Sequence, residues 1–287
     1  MINQPPTSYV SSRRVGDATI TIISECTATG SVNLPVPEAE WRQAIPEADE
    51  RGMISIGFNL AHIQLGDASI LIDTGGIDDP ASGMAEMVAS WFSAFTASPG
   101  LHAGLSDLGI HPEAITHVLI THAHADHFAG VITMHADQRI ARFPNAHHLI
   151  AQGDWMQSQE QPDETLTRAL GTIEQLGLLE VIYDEHEVVP GVTMIPAPGE
   201  TPGHSIVRVR SAGQSFYYLG DLFHYACEVE HPEWMDPGRN PATMRRSREQ
   251  LMVEAAASHA LLVFTHAPFP GWGFIVPTAT GYRWEWA

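Results

Sequence analysis

The chain of 287 residues contains no lysine: all 14 of its basic residues are arginine, set against 34 aspartates and glutamates. That absence excludes phosphate-binding loops ending in Gly-Lys-Ser/Thr, and it excludes Schiff-base and pyridoxal-phosphate chemistry, all of which need a lysine amine. A formal net charge of −20 counts against nucleic acid or an anionic membrane as a partner, because clustered positive charge holds both. Cysteine is scarce too. Cys26 and Cys227 lie far apart and outside any Cys-x-x-Cys pair, which leaves no disulfide framework and no thiolate zinc site, only two small buried hydrophobes. No run approaches the roughly 20 apolar residues of a membrane span. The N-terminus is polar, with Arg13 and Arg14 just before Gly16-Asp17, and carries no visible secretory signal. A soluble, cytoplasmic protein is therefore expected.

With 44% hydrophobic and 17% charged residues, the chain can bury a large core, and its length suits one α/β domain over residues 1–287. Strand-like runs rich in β-branched residues cover 18–24, 57–65 and 68–73, and Gly66-Asp67 between the last two reads as a hairpin turn, so the early sheet is expected to be antiparallel. Residues 83–98 carry Met84, Met87, Val88, Trp91, Phe92 and Phe95 at helical spacing. A short helix over 101–108 and a buried strand over 118–120 follow. Further strands are predicted at 139–143, 148–151, 188–195, 205–210, 216–219, 261–265 and 281–286, with helices at 164–176 and 242–259. Strands buried between helices imply a layered α/β architecture. Residues 31–56, with Pro35, Pro37 and Pro46, fit no regular element well and read as a loop or short-helix insertion near the site.

The informative stretch is Val118-Leu-Ile-Thr-His122-Ala-His124-Ala-Asp126-His127-Phe-Ala-Gly130. An apolar strand runs into four potential ligands spaced His-x-His-x-Asp-His, and the small Ala123 and Ala125 leave room for close approach. On this composition such a pattern arises by chance about once in 400 chains. Three later strand ends or turns add one ligand type each: His204 after Pro202-Gly203, Asp221 after Tyr217-Tyr218-Leu219-Gly220, and His266 after Leu261 to Thr265. Singly each reads as a hydrogen-bonded turn residue. Together they make five His and two Asp, enough for two metals sharing a carboxylate and a hydroxide. Nitrogen and oxygen donors suit Zn²⁺, or Mn²⁺, Fe²⁺ and Co²⁺.

From Leu71-Ile72-Asp73-Thr74-Gly75, through Gly109-Ile110 and the histidine cluster, to His266, the chain resembles the metallo-β-lactamase-fold hydrolases. The resemblance implies a four-layer αβ/βα sandwich with two mixed sheets between helices. It also implies that His122, His124 and His204 hold one metal, that Asp126, His127 and His266 hold the other, and that Asp221 bridges them. Asp73 would orient a ligand histidine from behind rather than bind metal. Within the superfamily, Thr265-His266-Ala-Pro-Phe-Pro-Gly271-Trp-Gly273, Gly281-Tyr282-Arg283-Trp284 and Gly220-Asp221-Leu222-Phe223-His224 look like the methyl parathion hydrolase branch. Lactonases of the superfamily usually carry Tyr where this chain has His224.

The expected function is therefore a dinuclear metal-dependent hydrolase, in which a metal-bridging hydroxide opens lactones, cleaves esters or cleaves organophosphate triesters of the methyl parathion or paraoxon type. Asp126, Asp221 and His224 are the candidate catalytic groups, His224 as a polar group near the leaving oxygen. An acidic protein with few cations suits a small uncharged substrate, and Trp155, Met156, Phe223, Phe269 and Trp272 are candidates for an apolar pocket. A homodimer is expected from the resemblance and from the aromatic tail of Tyr282, Trp284 and Trp286. Two other classes compete. One is a mononuclear iron thiol dioxygenase on the same fold, which the second ligand set argues against. The other is a non-catalytic metal-binding protein, which the intact set argues against.

Overall fold

The central strands β4, β6, β9 and β15, at Ala68–Ile72, His117–Leu119, His147–Ala151 and Leu261–Val263, are largely buried on both faces, and that requires covering layers on both sides of each sheet. The computed structural model describes residues 8–161 and 164–287. Its elements run β1 (Val10–Val15), β2 (Ala18–Ser31), α1 (Glu38–Ala44), β3 (Met53–Leu65), β4 (Ala68–Ile72), α2 (Met84–Trp91), β5 (Ala94–Ala97), α3 (Gly100–Asp107), β6 (His117–Leu119) and α4 (Ala125–Phe128). They continue with β7 (Ile132–His135), β8 (Gln138–Ala141), β9 (His147–Ala151), α5 (Gln152–Glu160), α6 (Glu164–Gln175), β10 (Leu179–Ile182), β11 (His186–Val189), β12 (Val192–Pro196), β13 (Ser205–Ser211) and β14 (Gln214–Tyr218). The chain closes with α7 (Pro241–Ser258), β15 (Leu261–Val263), β16 (Gly273–Pro277) and β17 (Tyr282–Trp286).

One sheet has the order β1-β2-β3-β4-β6-β9-β10, with β5 added beside β2, and the other runs β11 to β17 in sequence order. The first four strands form the expected antiparallel meander, and β6, β9 and β10 continue it in parallel. The second sheet is antiparallel except where α7 carries the chain from β14 to its parallel neighbour β15. Side-chain alternation builds the layers. Ile20, Ile22, Ile63, Ile70, Ile72 and Leu119 face Val207, Val209, Phe216, Tyr218 and Val263 across the space between the sheets. Their neighbours Leu60, Leu71, Val118 and Ile120 face the other way, against Leu101 and Leu105 of α3 and Leu170 and Ile173 of α6. Tyr217, Leu219 and Leu262 likewise pack on Met244, Leu251 and Met252 of α7. The result is helix, sheet, sheet, helix, the predicted four-layer sandwich.

Several predicted elements differ. The helix expected over 83–98 stops at Trp91, and Ala94–Ala97 is a strand paired with Cys26 to Thr29 of β2. Phe92 and Phe95 therefore join the cluster around Phe58 and Val88 from a strand and its approach, not from a helical stripe. The single strand expected over 188–195 is a hairpin turned at Pro190-Gly191. The strand at 138–141 pairs only with β7, outside both large sheets. Part of the 31–56 segment is regular: it holds α1 and the first residues of β3. Trp41, Ile45 and Ile54 fix it against Cys227 and Trp234, and the Asn33 backbone N–H donates to the Tyr225 hydroxyl at 3.1 Å. Cys26 and Cys227 are both free and buried, as expected.

Candidate metal centre

Open α/β sheets present ligands beyond the C-terminal ends of their strands, and here the ends of β4, β6, β14 and β15 meet at one edge of the sandwich. Asp73 follows β4 in the left-handed region, at φ 59°, a conformation that a non-glycine residue holds only when its surroundings fix it. Its fully buried carboxylate accepts from the Thr121 N–H at 2.8 Å, the Thr121 hydroxyl at 2.9 Å and His127 Nδ1 at 2.8 Å. Asp73 thus sits behind His127 and points its ring inward. Beyond β6 the chain places His122 and His124 on a loop, and Asp126 and His127 on the single turn of α4. Gly130 closes the motif, because a Cβ there would stand 2.3 Å from the Thr74 carbonyl oxygen. Only glycine lets this turn lie against the chain that follows Asp73.

The second sheet supplies the remainder. Asp221 is buried after the β14 end, and its Oδ2 lies 3.1 Å from His266 Nε2, 3.4 Å from His224 Nε2, 3.5 Å from His127 Nε2 and 3.9 Å from His122 Nε2. Asp126 Oδ2 is 3.5 Å from His127 Nε2 and 3.6 Å from His266 Nε2. His122 Nε2 and His124 Nδ1 are 2.8 Å apart. Potential donor atoms converge in three overlapping groups, each within 4.8 Å: His122, His124, Glu200 and Asp221; Asp126, His127 and His266; and Asp221, His224 and His266. Six of the seven predicted ligands therefore meet. His204 is placed beside them, its ring centroid 5.1 Å from that of His122, but its Nε2 faces the Asp221 backbone N–H at 3.1 Å. Glu200, which sequence reading did not single out, takes the fourth place in the first group. It stands between two Pro-Gly pairs, four residues before His204.

The donor set fits a cation. His127, His204 and His266 each turn Nδ1 toward a fixed acceptor, Asp73, the Ala197 carbonyl and the Gly57 carbonyl, at 2.8, 3.0 and 2.9 Å. A proton held at Nδ1 leaves the Nε2 lone pair of His127 and of His266 facing the site, the arrangement metal-binding imidazoles require, whereas that of His204 accepts the Asp221 N–H. His127 Nε2 and Asp221 Oδ1 are buried with no hydrogen-bond partner, a costly state that an ion would relieve. The electrostatics agree. Burial alone would raise the Asp221 pKa, yet His266 and His127 hold it well below the usual carboxylate range. Burial opposes a charge on His127 and on His266, but Asp221 and Asp126 raise both. Burial, with His127 and His124 alongside, drives His122 well below its usual value, and burial takes His204 down to about 4. Positive charge is wanted beside Asp221, while His122 and His204 stay neutral.

A cavity of about 620 Å³ opens beside His124, walled by Asp154, Gln157, Ser158, Thr201, Arg239 and Asn240 among others. It is not the aromatic pocket predicted. Phe223 and Trp272 are spent in the cores outside and between the sheets, Met156 is half-exposed, and none of the five aromatic or Met candidates lines this cavity. Both belong to connections that follow strand ends, Phe223 after β14 and Trp272 just before β16, and pack there into the cores. Trp284 of the tail packs on Phe264, whereas Trp286 remains half-exposed. Among the described residues, no helix is long and apolar enough to cross a membrane.

A family model described as the metallo-beta-lactamase superfamily matches residues 62–266. A probable metallo-hydrolase of Mycobacterium tuberculosis is 24% identical over 192 residues, covering 57% of this chain and 56% of that protein. An N-acyl homoserine lactonase of Bacillus sp. is 24% identical over 107 residues, covering 37% of this chain and 38% of that protein. The chain spans about half the length of the curated relatives it matches. Among solved structures, the hydrolase AbOPH of the beta-lactamase superfamily superposes with a TM-score of 0.81 at 21% identity, covering 99% of both chains. AidC, a dizinc quorum-quenching lactonase, superposes with a TM-score of 0.76 at 21% identity, covering 97% of both chains. At that identity the likeness is one of fold.

Proposed function

The chain belongs to the metallo-β-lactamase superfamily, and we propose that it is a hydrolase holding two divalent ions that share Asp221, and that it opens small uncharged lactones or cleaves esters. Phosphotriesters of the paraoxon type present a comparable electrophile to the same centre. One carboxylate facing both ligand groups carries this reading: Asp221 lies within 3.9 Å of His122 on one side and within 3.5 Å of His127 and 3.1 Å of His266 on the other. A complete Asp126, His127 and His266 group also favours two ions over the single iron of a thiol dioxygenase. Zn²⁺ suits the mixture of imidazole and carboxylate donors, as do Mn²⁺, Fe²⁺ and Co²⁺.

When bound, the ions supply Lewis acidity and a water acidified toward neutral pH. The chain's own residues fix everything else. Asp73, Ala197 and Gly57 hold the Nδ1 protons of His127, His204 and His266, so these rings cannot turn away from the centre. His224 stacks on His266, with ring centroids 5.5 Å apart, and holds its Nε2 beside Asp221. We assign it to the leaving-group side, holding a proton at Nε2. Replacing His224 by Ala should lower kcat by about 100-fold or more, the usual range for a positioned proton donor, and unchanged turnover would remove it from the mechanism.

Among the described residues, Arg239 is the only Lys or Arg on the cavity wall, and Glu200 and Asp236 already flank it. An anionic substrate finds no free cation there, which supports an uncharged one. The test is a panel of lactones of several acyl lengths, aryl esters and paraoxon-type triesters, compared by kcat/KM with the zinc-loaded protein. Turnover of at least one lactone or ester is expected; no turnover across the panel would return the protein to the non-catalytic class. We also propose a homodimer, for which exposed Trp286 on the edge strand β17 offers an aromatic contact, and a single-chain mass by light scattering counts against it.

A further inference from the structure

We propose that Glu200 is a third carboxylate of the metal centre, aimed at the ion that His122 and His124 would hold, and that Arg239 is the residue positioning it. The inference rests on reading this site as a metal centre. The Glu200 side chain is fully buried, its Oε1 lies 3.3 Å from His124 Nδ1, and its Oε2 meets Arg239 Nε. Oε2 is ion-paired with Arg239, and Oε1 faces the first ligand group with no backbone N–H or hydroxyl bonded to it. Donors around a tetrahedral ion at 2.0–2.1 Å stand about 3.3 Å from one another. The Glu200 to His124 separation matches that edge, and the 2.8 Å from His124 to His122 and 3.9 Å from His122 to Asp221 lie on either side of it.

Asp154 supplies the contrast. It too is a buried carboxylate on the cavity wall, but it accepts from the Ala123 N–H at 2.7 Å, the Thr201 hydroxyl at 2.8 Å and the Gly203 N–H at 2.5 Å. Its lone pairs are committed to clasping two loops, and it needs no ion. Glu200 has no such partners, and its backbone is fixed. Gly199, at φ 146°, presses against the first turn of α7, where a Cβ would stand 2.4 Å from Met244 Cα. His204, whose Nε2 already faces the Asp221 N–H, leaves that side of the first group to Glu200. A third carboxylate also makes the centre harder, which favours oxygen-preferring ions such as Mn²⁺ relative to an imidazole-rich set.

The test uses the whole protein, titrated with Zn²⁺, Mn²⁺ and Co²⁺ against a chromophoric chelator, with the Co²⁺ d–d spectrum as a structural readout. In Glu200→Gln one of the two ions should bind 10–100-fold more weakly, Mn²⁺ should suffer more than Zn²⁺, and the Co²⁺ spectrum should shift. Glu200→Asp, which keeps the charge but withdraws it by one methylene, should fall between parent and Gln, and it carries the test if the Gln variant does not fold. If both variants match the parent in stoichiometry, affinity and spectrum, Glu200 is only the counter-ion of Arg239 and the inference is overturned, whatever the hydrolysis assays give. Weakened binding in a protein that hydrolyses nothing would sustain the inference and sink the proposed function instead.

Discussion

Replacing Asp73 by Asn keeps the size of the side chain and reverses one hydrogen bond at the heart of the site. In the native protein both Asp73 oxygens accept, Oδ1 from the Thr121 N–H at 2.8 Å, and Oδ2 from the Thr121 hydroxyl at 2.9 Å and His127 Nδ1 at 2.8 Å. The Asn oxygen can still serve the Thr121 N–H, so the amide NH₂ must then face His127 Nδ1. That ring position becomes an acceptor, the proton moves to Nε2, and the lone pair aimed at the metal site is lost. Loss of such a partner typically costs 10–100-fold in metal affinity, which is about 1.4–2.7 kcal/mol. At saturating metal the same amount disappears from the metal-dependent part of the stability. For a chain of this size that is a fall of about 2 °C in Tm for each kcal/mol. Metal titration and thermal unfolding, each with and without Zn²⁺, read the two effects. A ¹⁵N–¹H imidazole spectrum of the metal-loaded protein reads the tautomer: His127 should carry its proton on Nδ1 in the parent and on Nε2 in the variant. Unchanged affinity together with an unchanged tautomer would show that Asp73 does not act through His127.

Behind the centre, burial pushes the Glu25 pKa up to about 8, and Asp78 adds to the shift. A folded pKa raised above the unfolded value makes its contribution fully present below about pH 4.5 and progressively lost as pH rises to about 8. Glu25→Gln, which can still accept the Gly76 N–H, should therefore be more stable than the parent at pH 8, by an order of a few kcal/mol, and should match it near pH 4. Urea midpoints at both pH values test this, and equal midpoints at pH 8 contradict it. Arg248 is fully buried, donates to the Leu222 and Pro232 carbonyls at 2.7 and 3.2 Å, and pairs with Glu228 at 3.1 Å. Arg248→Met strands that carboxylate and should cost about 3–5 kcal/mol in denaturant unfolding. Because Glu228 also accepts the His224 N–H at 2.6 Å, adding Glu228→Gln should recover part of the loss. Gly130→Ala, with its Cβ 2.3 Å from the Thr74 carbonyl, should both destabilise the fold and weaken metal binding, and wild-type values for both would contradict the close-packing argument.

The sites legible in sequence were those written in contiguous residues. His122 to His127 declare themselves because strand, loop and turn follow one another within a dozen residues, and Asp221 and His266 because each ends an apolar strand. Asp73 could be placed behind a histidine from its Asp-Thr-Gly setting. Glu200 could not be read in the same way, since its role comes from two Pro-Gly turns that bring it to His124 and from Arg239, contributed by a different loop. The Phe92 and Phe95 error has a similar cause. Their spacing suits a helix, but β2 is 14 residues long and its stretch from Cys26 to Thr29 needs a partner. That long-range demand overrides local periodicity. Val189 and Val192 read as one strand until Pro190 and Gly191 turn it back on itself.

If two divalent ions share Asp221 and drive hydrolysis, metal content and activity must rise and fall together. Elemental analysis of the purified, zinc-loaded protein, coupled to lactone and ester hydrolysis before and after chelation, tests it most directly. Two ions per chain, loss of activity on chelation and recovery when metal is restored are the expected results. Hydrolysis that survives complete removal of metal would contradict them.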